Sequence, residues 1–170
     1  DMVVYSGGKG IRGPQGTGVL CGRSDLIEAA YANASPHQFI GRGLKVAKEE
    51  IIGLSKALEI FLSEDEKEEN KRYQQMCDQI VDALIEIPGV GLQTKFDPYD
   101  YLIPTALITF DPDRNGLSRD EVWKQMVAGD PPIYLSNLGT PDELAVDPFN
   151  IADSELEMVI GRLRELLVQN

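Results

Sequence analysis

Lys9 is the residue most able to do chemistry in this chain. It stands in Ser6-Gly7-Gly8-Lys9-Gly10-Ile11-Arg12-Gly13-Pro14-Gln15-Gly16-Thr17-Gly18, a run of thirteen residues of which six are glycine. An amine with no side chains crowding it can reach and condense with a carbonyl group, and glycine N–H groups beside the Ser6 hydroxyl can cradle a phosphate. The letters Gly8-x-Gly10-x-x-Gly13 also spell a dinucleotide fingerprint. That motif needs a helix to open behind it and an acidic residue about 20 positions on. Here Pro14 and the β-prone Val19-Leu20-Cys21 follow, and Asp25 comes too early. A third reading is a plain glycine-rich connector carrying a solvated lysine, which spacing alone leaves open.

Other candidates are fewer. Arg42 and Lys45 are three apart, so on a helix both point one way, and arginine grips carboxylate or phosphate with two parallel bonds. The competing use for this pair is an ion pair with Glu49 or Glu50. His37, the one histidine, is either a substrate or cofactor contact or a loop residue with a local hydrogen bond. Asp111-Pro112-Asp113-Arg114-Asn115-Gly116 imitates a calcium loop, but counting from Asp111 puts Glu121 eleventh and Val122 twelfth, where a bidentate Glu is required. Cys21 and Cys77 sit in apolar patterns and read as reduced core thiols of a cytoplasmic protein, and two Cys with one His lack the paired spacing of a metal site.

A lysine beside a phosphate-binding hydroxyl is the arrangement that a pyridoxal phosphate Schiff base requires. Ser6-Gly7-x-Lys9-x-x-x-Gly13-Pro14-Gln15 resembles the cofactor-lysine segment of the fold-type I pyridoxal phosphate enzymes. Within them it is similar to the selenocysteine synthase-like family, which includes L-seryl-tRNA(Sec) selenium transferase and D-glucosaminate-6-phosphate ammonia-lyase. The similarity continues through Arg42-Gly43-Leu44-Lys45-Val46-x-Lys48 and, more loosely, to the end of the chain. The resemblance implies that Lys9 holds pyridoxal 5'-phosphate, that Ser6 binds its phosphate, and that Gln15, Gly16 and Thr17 reach the phosphate of a neighbouring subunit, making at least a homodimer. It also makes Arg42, Lys45 and His37 the substrate-binding candidates. Selenium transferases usually carry an acidic residue just before the lysine, where this chain has Gly8. The expectation is therefore an ammonia-lyase-type α,β-elimination on a small anionic amino acid, such as a phosphorylated sugar amino acid. Selenium transfer and racemisation use the same lysine. The rival of another class is a non-catalytic α+β interaction module.

The elements that must position these residues follow from pattern. In 170 residues, 42% apolar, there is material for a core. A net charge of −12 argues against a nucleic-acid partner, and no apolar run approaches the ~20 residues of a membrane span. The glycine run lies between two short β-prone stretches. Helices are expected over 24–34, over 45–62, from a Ser63/Glu66 capping box to Pro88-Gly89, behind a Ser118/Glu121 capping box, and from Asp153 onward. Strands are expected at 90–96, 103–110 and 143–147, with a link at 97–101 and a short strand from Ile133 whose stretch 133–137 is a candidate partner of 143–147. The fold class is α/β with an α+β C-terminal part. By resemblance, residues 1–44 end the cofactor-binding large domain, 45–62 form a connecting helix and 63–170 form the small domain. The start at Asp1, directly on a strand, then implies a C-terminal fragment whose missing part supplies the rest of the cofactor site.

Overall fold

The computed structural model describes residues 1–97, 99, 101–137 and 140–169. They divide into two compact units, Asp1–Glu64 and Asp65–Asn170.

In the first unit, strands β1 (Met2–Ser6) and β2 (Gly18–Gly22) pair antiparallel, with Tyr5 opposite Val19 and Ser6 opposite Gly18. The glycine run is therefore the connection of a β-hairpin. Helix α1 (Ser24–Asn33) follows, with Arg23 rather than Ser24 at its N-cap and no side-chain cap bond. The helix expected from Lys45 begins later. Residues Arg42–Leu44 make one 3-10 turn, Lys45 is extended, and helix α2 runs Lys48–Ser63. The start is fixed by Glu50, whose carboxylate accepts the Ala47 N–H at 3.2 Å. Large apolar side chains stay exposed here, among them Val4, Ile40, Leu44, Ile52 and Leu62. Cys21 is exposed too, which corrects its reading as a core thiol: β2 has one pairing partner, and four of its five residues are exposed.

The second unit is an α+β layer. Helix α3 (Glu66–Leu84) starts at Asp65, whose carboxylate accepts the Lys67 N–H at 2.9 Å. Ser63 is not its cap. It closes α2, and its hydroxyl donates to the Ile60 carbonyl at 2.7 Å. Aspartate caps as well as serine does, so the later position lets α2 keep its last turn. Strands β3 (Val90–Lys95), β4 (Thr105–Phe110) and β5 (Glu143–Val146) form an antiparallel sheet in the order β3-β4-β5. Pro98 and Asp100 of the expected link lie outside the described residues; Asp97 N–H donates to the Tyr101 carbonyl at 2.9 Å. Helix α4 (Arg119–Ala128) opens with the expected box, Ser118 N–H and Oγ donating to the Glu121 carboxylate at 2.9 and 2.7 Å. Those bonds hold the Glu121 carboxyl below its ordinary pKa.

Residues 133–135 are not a strand. Pro131 and Pro132 remove two donors, Ile133 N–H donates to the Met126 carbonyl at 3.0 Å, and the Leu135 carbonyl accepts Trp123 Nε1 at 3.0 Å. Within 133–137, among the described residues, Ser136 alone bridges to β5, at Ala145. Two of the segment's backbone groups are thus taken up by α4. Helix α5 (Leu156–Leu167) is preceded by a 3-10 turn at Asp153–Glu155. Asp153 is not its cap but accepts Arg72 Nε at 2.8 Å.

The core follows from the strand period of two. Ala106, Ile108 and Phe110 of β4 and Leu144 and Val146 of β5 face the apolar stripes of the helices, including Tyr73, Ile80 and Leu84 of α3, Val122 and Met126 of α4 and Leu163 and Leu167 of α5. Cys77 is fully buried in this core, and burial, with Asp78 adding to it, pushes its thiol up to about 12. No helix among the described residues is long and apolar enough to cross a membrane.

Candidate active site

Lys9 sits at the exposed end of the hairpin connection, and the backbone on both sides of it is tied down. Gly7 N–H donates to the Thr17 carbonyl at 2.9 Å and Gly13 N–H to the Gly7 carbonyl at 2.7 Å, which closes the neck of the loop. Arg12 N–H donates to the Lys9 carbonyl at 2.7 Å, making a turn whose last residue, Arg12, adopts φ 58°. A non-glycine residue in that region is held by its surroundings rather than by its own preference. Across the loop, Gln15 Nε2 donates to the Gly8 carbonyl at 2.9 Å. Thr17 is buried, and its Oγ1 donates to the Pro14 carbonyl at 2.6 Å.

This loop lies along α2. A Cβ on Gly16 would stand 2.6 Å from Glu50 Oε1, one on Gly53 would stand 2.8 Å from Pro14 Cγ, and one on Gly13 would stand 3.1 Å from Leu54 Cδ1. Farther along, Gly10, Ile11 and Arg12 border a cavity of about 420 Å³ with Gly53, Lys56, Ala57, Ile60 and Phe61. The loop thus runs antiparallel to the helix, from Gly16 at its first turn to Gly10 at its last. Sequence reasoning took Glu50 only as a possible ion-pair partner and did not single out Gly53 as a platform. The signal for Gly53 was present, since a lone glycine inside a helical pattern marks a close approach.

Of the residues singled out in the sequence, Ser6, Lys9, Gln15, Gly16 and Thr17 are brought together on one hairpin. His37, Arg42 and Lys45 occupy the segment between α1 and α2. His37 Nδ1 lies 3.0 Å from the Tyr31 carbonyl, and its ring meets the Tyr31 ring edge-on at 5.0 Å. Arg42 Nη1 donates to Ser35 Oγ at 3.2 Å. Among the described residues neither Arg42 nor Lys45 forms an ion pair with Glu49 or Glu50; Glu49 pairs with Lys48 at 3.8 Å, and the Glu50 carboxylate caps α2. Lys45 is exposed and borders a cavity of about 780 Å³ with Ser35, Val46 and Lys48. The imitation calcium loop is a turn, Arg114 N–H donating to the Asp111 carbonyl at 3.1 Å. No group of three His, Cys, Asp or Glu side chains among the described residues is placed to hold a metal ion.

The hairpin fits a covalently held carbonyl cofactor on its own geometry. The amine is exposed on a braced loop, and an added Cβ on the next residue, Gly10, would have nothing within 4 Å. A planar group attached at Lys9 therefore meets no side chain from the residue beside it.

No family model matches the chain. It is 33% identical over 171 residues to a 5'-C-glycyluridine monooxygenase-decarboxylase from Streptomyces sp., 28% over 167 residues to the D-glucosaminate-6-phosphate ammonia lyase of Salmonella typhimurium and 23% over 180 residues to an L-seryl-tRNA(Sec) selenium transferase of Solidesulfovibrio magneticus. These matches take in 100%, 98% and 94% of this chain, which spans only 42%, 43% and 37% of the respective relatives. A solved D-glucosaminate-6-phosphate ammonia-lyase superposes with a TM-score of 0.74 at 28% identity over 98% of this chain and 43% of its own. A C-DES mutant with glycine covalently linked to its PLP cofactor superposes at 0.59 and 18% identity, over 98% of this chain and 46% of its own, and shares the fold alone. The chain is a homologue of the ammonia lyase and the selenium transferase, and its fold is that of the C-terminal portion of the fold-type I pyridoxal phosphate enzymes.

Proposed function

We propose that this chain is the C-terminal part of a pyridoxal phosphate-dependent enzyme that eliminates ammonia from a small anionic amino acid built on a sugar-like skeleton. The observation that carries the reading is Lys9, exposed at the tip of a hairpin loop fixed by its own hydrogen bonds. Lys9 Nζ holds the cofactor covalently. Ser6, at the end of β1, offers its hydroxyl to the phosphate. Gln15, Gly16 and Thr17 border the phosphate of a neighbouring subunit; because the Gln15 amide, the Thr17 hydroxyl and the Thr17 N–H all donate within the loop, the groups this segment offers are the Gln15 and Gly16 N–H. The exposed Val4, Tyr5 and Leu20 give the hairpin an apolar surface for a neighbouring polypeptide, in keeping with a homodimer or larger homo-oligomer. The place of work is the cytoplasm.

When bound, pyridoxal phosphate supplies an electron sink for the bond broken at Cα. When not bonded to the cofactor, Lys9 Nζ would take the Cα proton and pass a proton to the hydroxyl that leaves Cβ as water; water then replaces the amino group on Cα, which departs as ammonia. Arg42 has five N–H donors, of which one goes to Ser35, so others can grip a substrate carboxylate or phosphate. Lys45 adds a second positive charge and His37 a third polar contact.

A second reading is oxidative decarboxylation, favoured by the 33% identity to the glycyluridine enzyme. Both named substrates, glucosaminate-6-phosphate and glycyluridine, carry an α-amino acid on a sugar-derived carbon skeleton, so the substrate class is common to both readings. Borohydride reduction of the holoenzyme followed by peptide mapping tests the proposal. A pyridoxyl adduct on Lys9 is expected; a protein that takes up no added cofactor would overturn it.

A further inference from the structure

We propose that Gln15 is a positioning residue for Lys9, acting through the carbonyl of Gly8. The inference rests on Lys9 carrying the cofactor and gives Gln15 a role beyond bordering a phosphate.

The peptide between Gly8 and Lys9 sets the direction in which the Lys9 side chain leaves the loop. One atom of that peptide, the Gly8 carbonyl oxygen, accepts Gln15 Nε2 at 2.9 Å. A carbonyl only accepts, so the amide nitrogen and not its oxygen must face it. On the other side of the lysine, the Lys9 carbonyl accepts the Arg12 N–H at 2.7 Å. The carbonyls flanking Lys9 on both sides are therefore held, one by a backbone turn and one by a side chain seven residues away.

The close packing of Gly8 and Gln15 shows that this grip is built into the loop. A Cβ on Gly8 would stand 2.7 Å from Gln15 Cα and 2.8 Å from Gln15 Oε1. The first of these is main chain, which cannot swing aside. Any side chain at position 8 thus displaces the Gln15 segment, and Gly8 and Gln15 act as one device. Gln15 is exposed, so the bond is open to water and adds little to overall stability. What it supplies is direction: a tethered group misplaced by ~1 Å can lose most of its reactivity.

The test needs no substrate. In the wild-type holoenzyme and in Gln15→Met, which keeps length and loses the donor, the visible absorption of the bound cofactor is titrated with pH, and the rate at which hydroxylamine removes the cofactor from Lys9 is measured. Gln15→Met is expected to keep a borohydride-stable adduct on Lys9 and the wild-type Tm. Its absorption midpoint should move and its hydroxylamine rate change by about three- to tenfold, the scale of one ordinary hydrogen bond. Gly8→Ala should shift the midpoint and the rate in the same way, with a lower Tm because main chain must move, and the double variant should shift them no further than either single one. A labelled wild type with an unchanged midpoint and rate in Gln15→Met overturns the inference. An unlabelled wild type overturns instead the reading of Lys9. A Gln15→Met protein that loses Tm with no spectral change shows a structural residue only, which also overturns the inference.

Discussion

Pro14 of the hairpin loop and Gly53 of α2 meet so closely that a Cβ on Gly53 would stand 2.8 Å from Pro14 Cγ. Helix propensity alone favours alanine over glycine by about 1 kcal/mol. Here the proline ring is rigid, and overpacking costs about 1–3 kcal/mol. Gly53→Ala is therefore expected to lower or leave unchanged the melting temperature, against the propensity rule, and to weaken cofactor retention because the loop is lifted off its helix. Differential scanning fluorimetry with and without pyridoxal phosphate reads both. A higher Tm with retention intact would mean that the loop has room to shift.

The two cysteines should behave as opposites. Cys21 is exposed on β2, whereas Cys77 is fully buried and its thiol is pushed up to about 12 from 9.0. One thiol per chain is expected to react with an aromatic disulfide at pH 8 in native protein and two in denaturant. The same shift sets a pH dependence. The folded chain keeps the Cys77 proton where the unfolded chain loses it, so this stability is complete below about pH 9 and is lost as pH rises toward about 12. Cys77→Ala should flatten the alkaline slope of Tm against pH relative to wild type, even if its Tm is lower throughout.

The Ser118/Glu121 cap gives the opposite sign. Hydrogen bonds from Ser118 hold the Glu121 carboxyl below its ordinary 4.5. Their contribution is present above that value and is lost as pH falls through the lower folded one. Ser118→Ala is expected to lower Tm by about 2–4 °C at pH 7, with the gap to wild type narrowing in acid. A gap that stays constant from pH 7 to 3 would remove the carboxylate from the cap.

The elements legible in the sequence were those whose signal is local. The Ser118-to-Glu121 spacing predicts α4, and the apolar, β-prone run 103–110 predicts the strand that forms over Thr105–Phe110, because both signals are decided within a few residues. The hairpin around Lys9 was legible for the same reason. What the sequence did not disclose depends on contacts distant in the chain. Nothing local says that Leu135 bonds to Trp123 instead of to a strand, or that Asp153 turns to Arg72 instead of capping α5. At the candidate site, the residue types were readable but their division of labour was not. Gln15 and Thr17 were expected to reach outward, yet both side chains donate within the loop. The similarity to a monooxygenase-decarboxylase was not foreseen either, since both chemistries need a lysine to hold the cofactor and the loop around Lys9 carries no mark of which bond at Cα is broken.

Those two chemistries separate at the products. Elimination leaves the carboxylate in place, releases ammonia and consumes no oxygen. Oxidative decarboxylation by a monooxygenase takes up O2 and breaks the bond from Cα to the carboxylate, releasing CO2. With the holoenzyme and D-glucosaminate-6-phosphate, ammonia release at constant dissolved oxygen is expected, abolished in Lys9→Ala. Arg42→Ala should raise KM by about tenfold or more with a smaller change in kcat, the mark of a group that grips the anionic substrate equally in ground and transition state. Oxygen uptake matched by CO2 release from glycyluridine, with no ammonia from the sugar acid, would instead establish the second chemistry. Lys9→Ala would be equally inactive in that case, because the lysine serves both reactions, so the products and not this variant tell them apart.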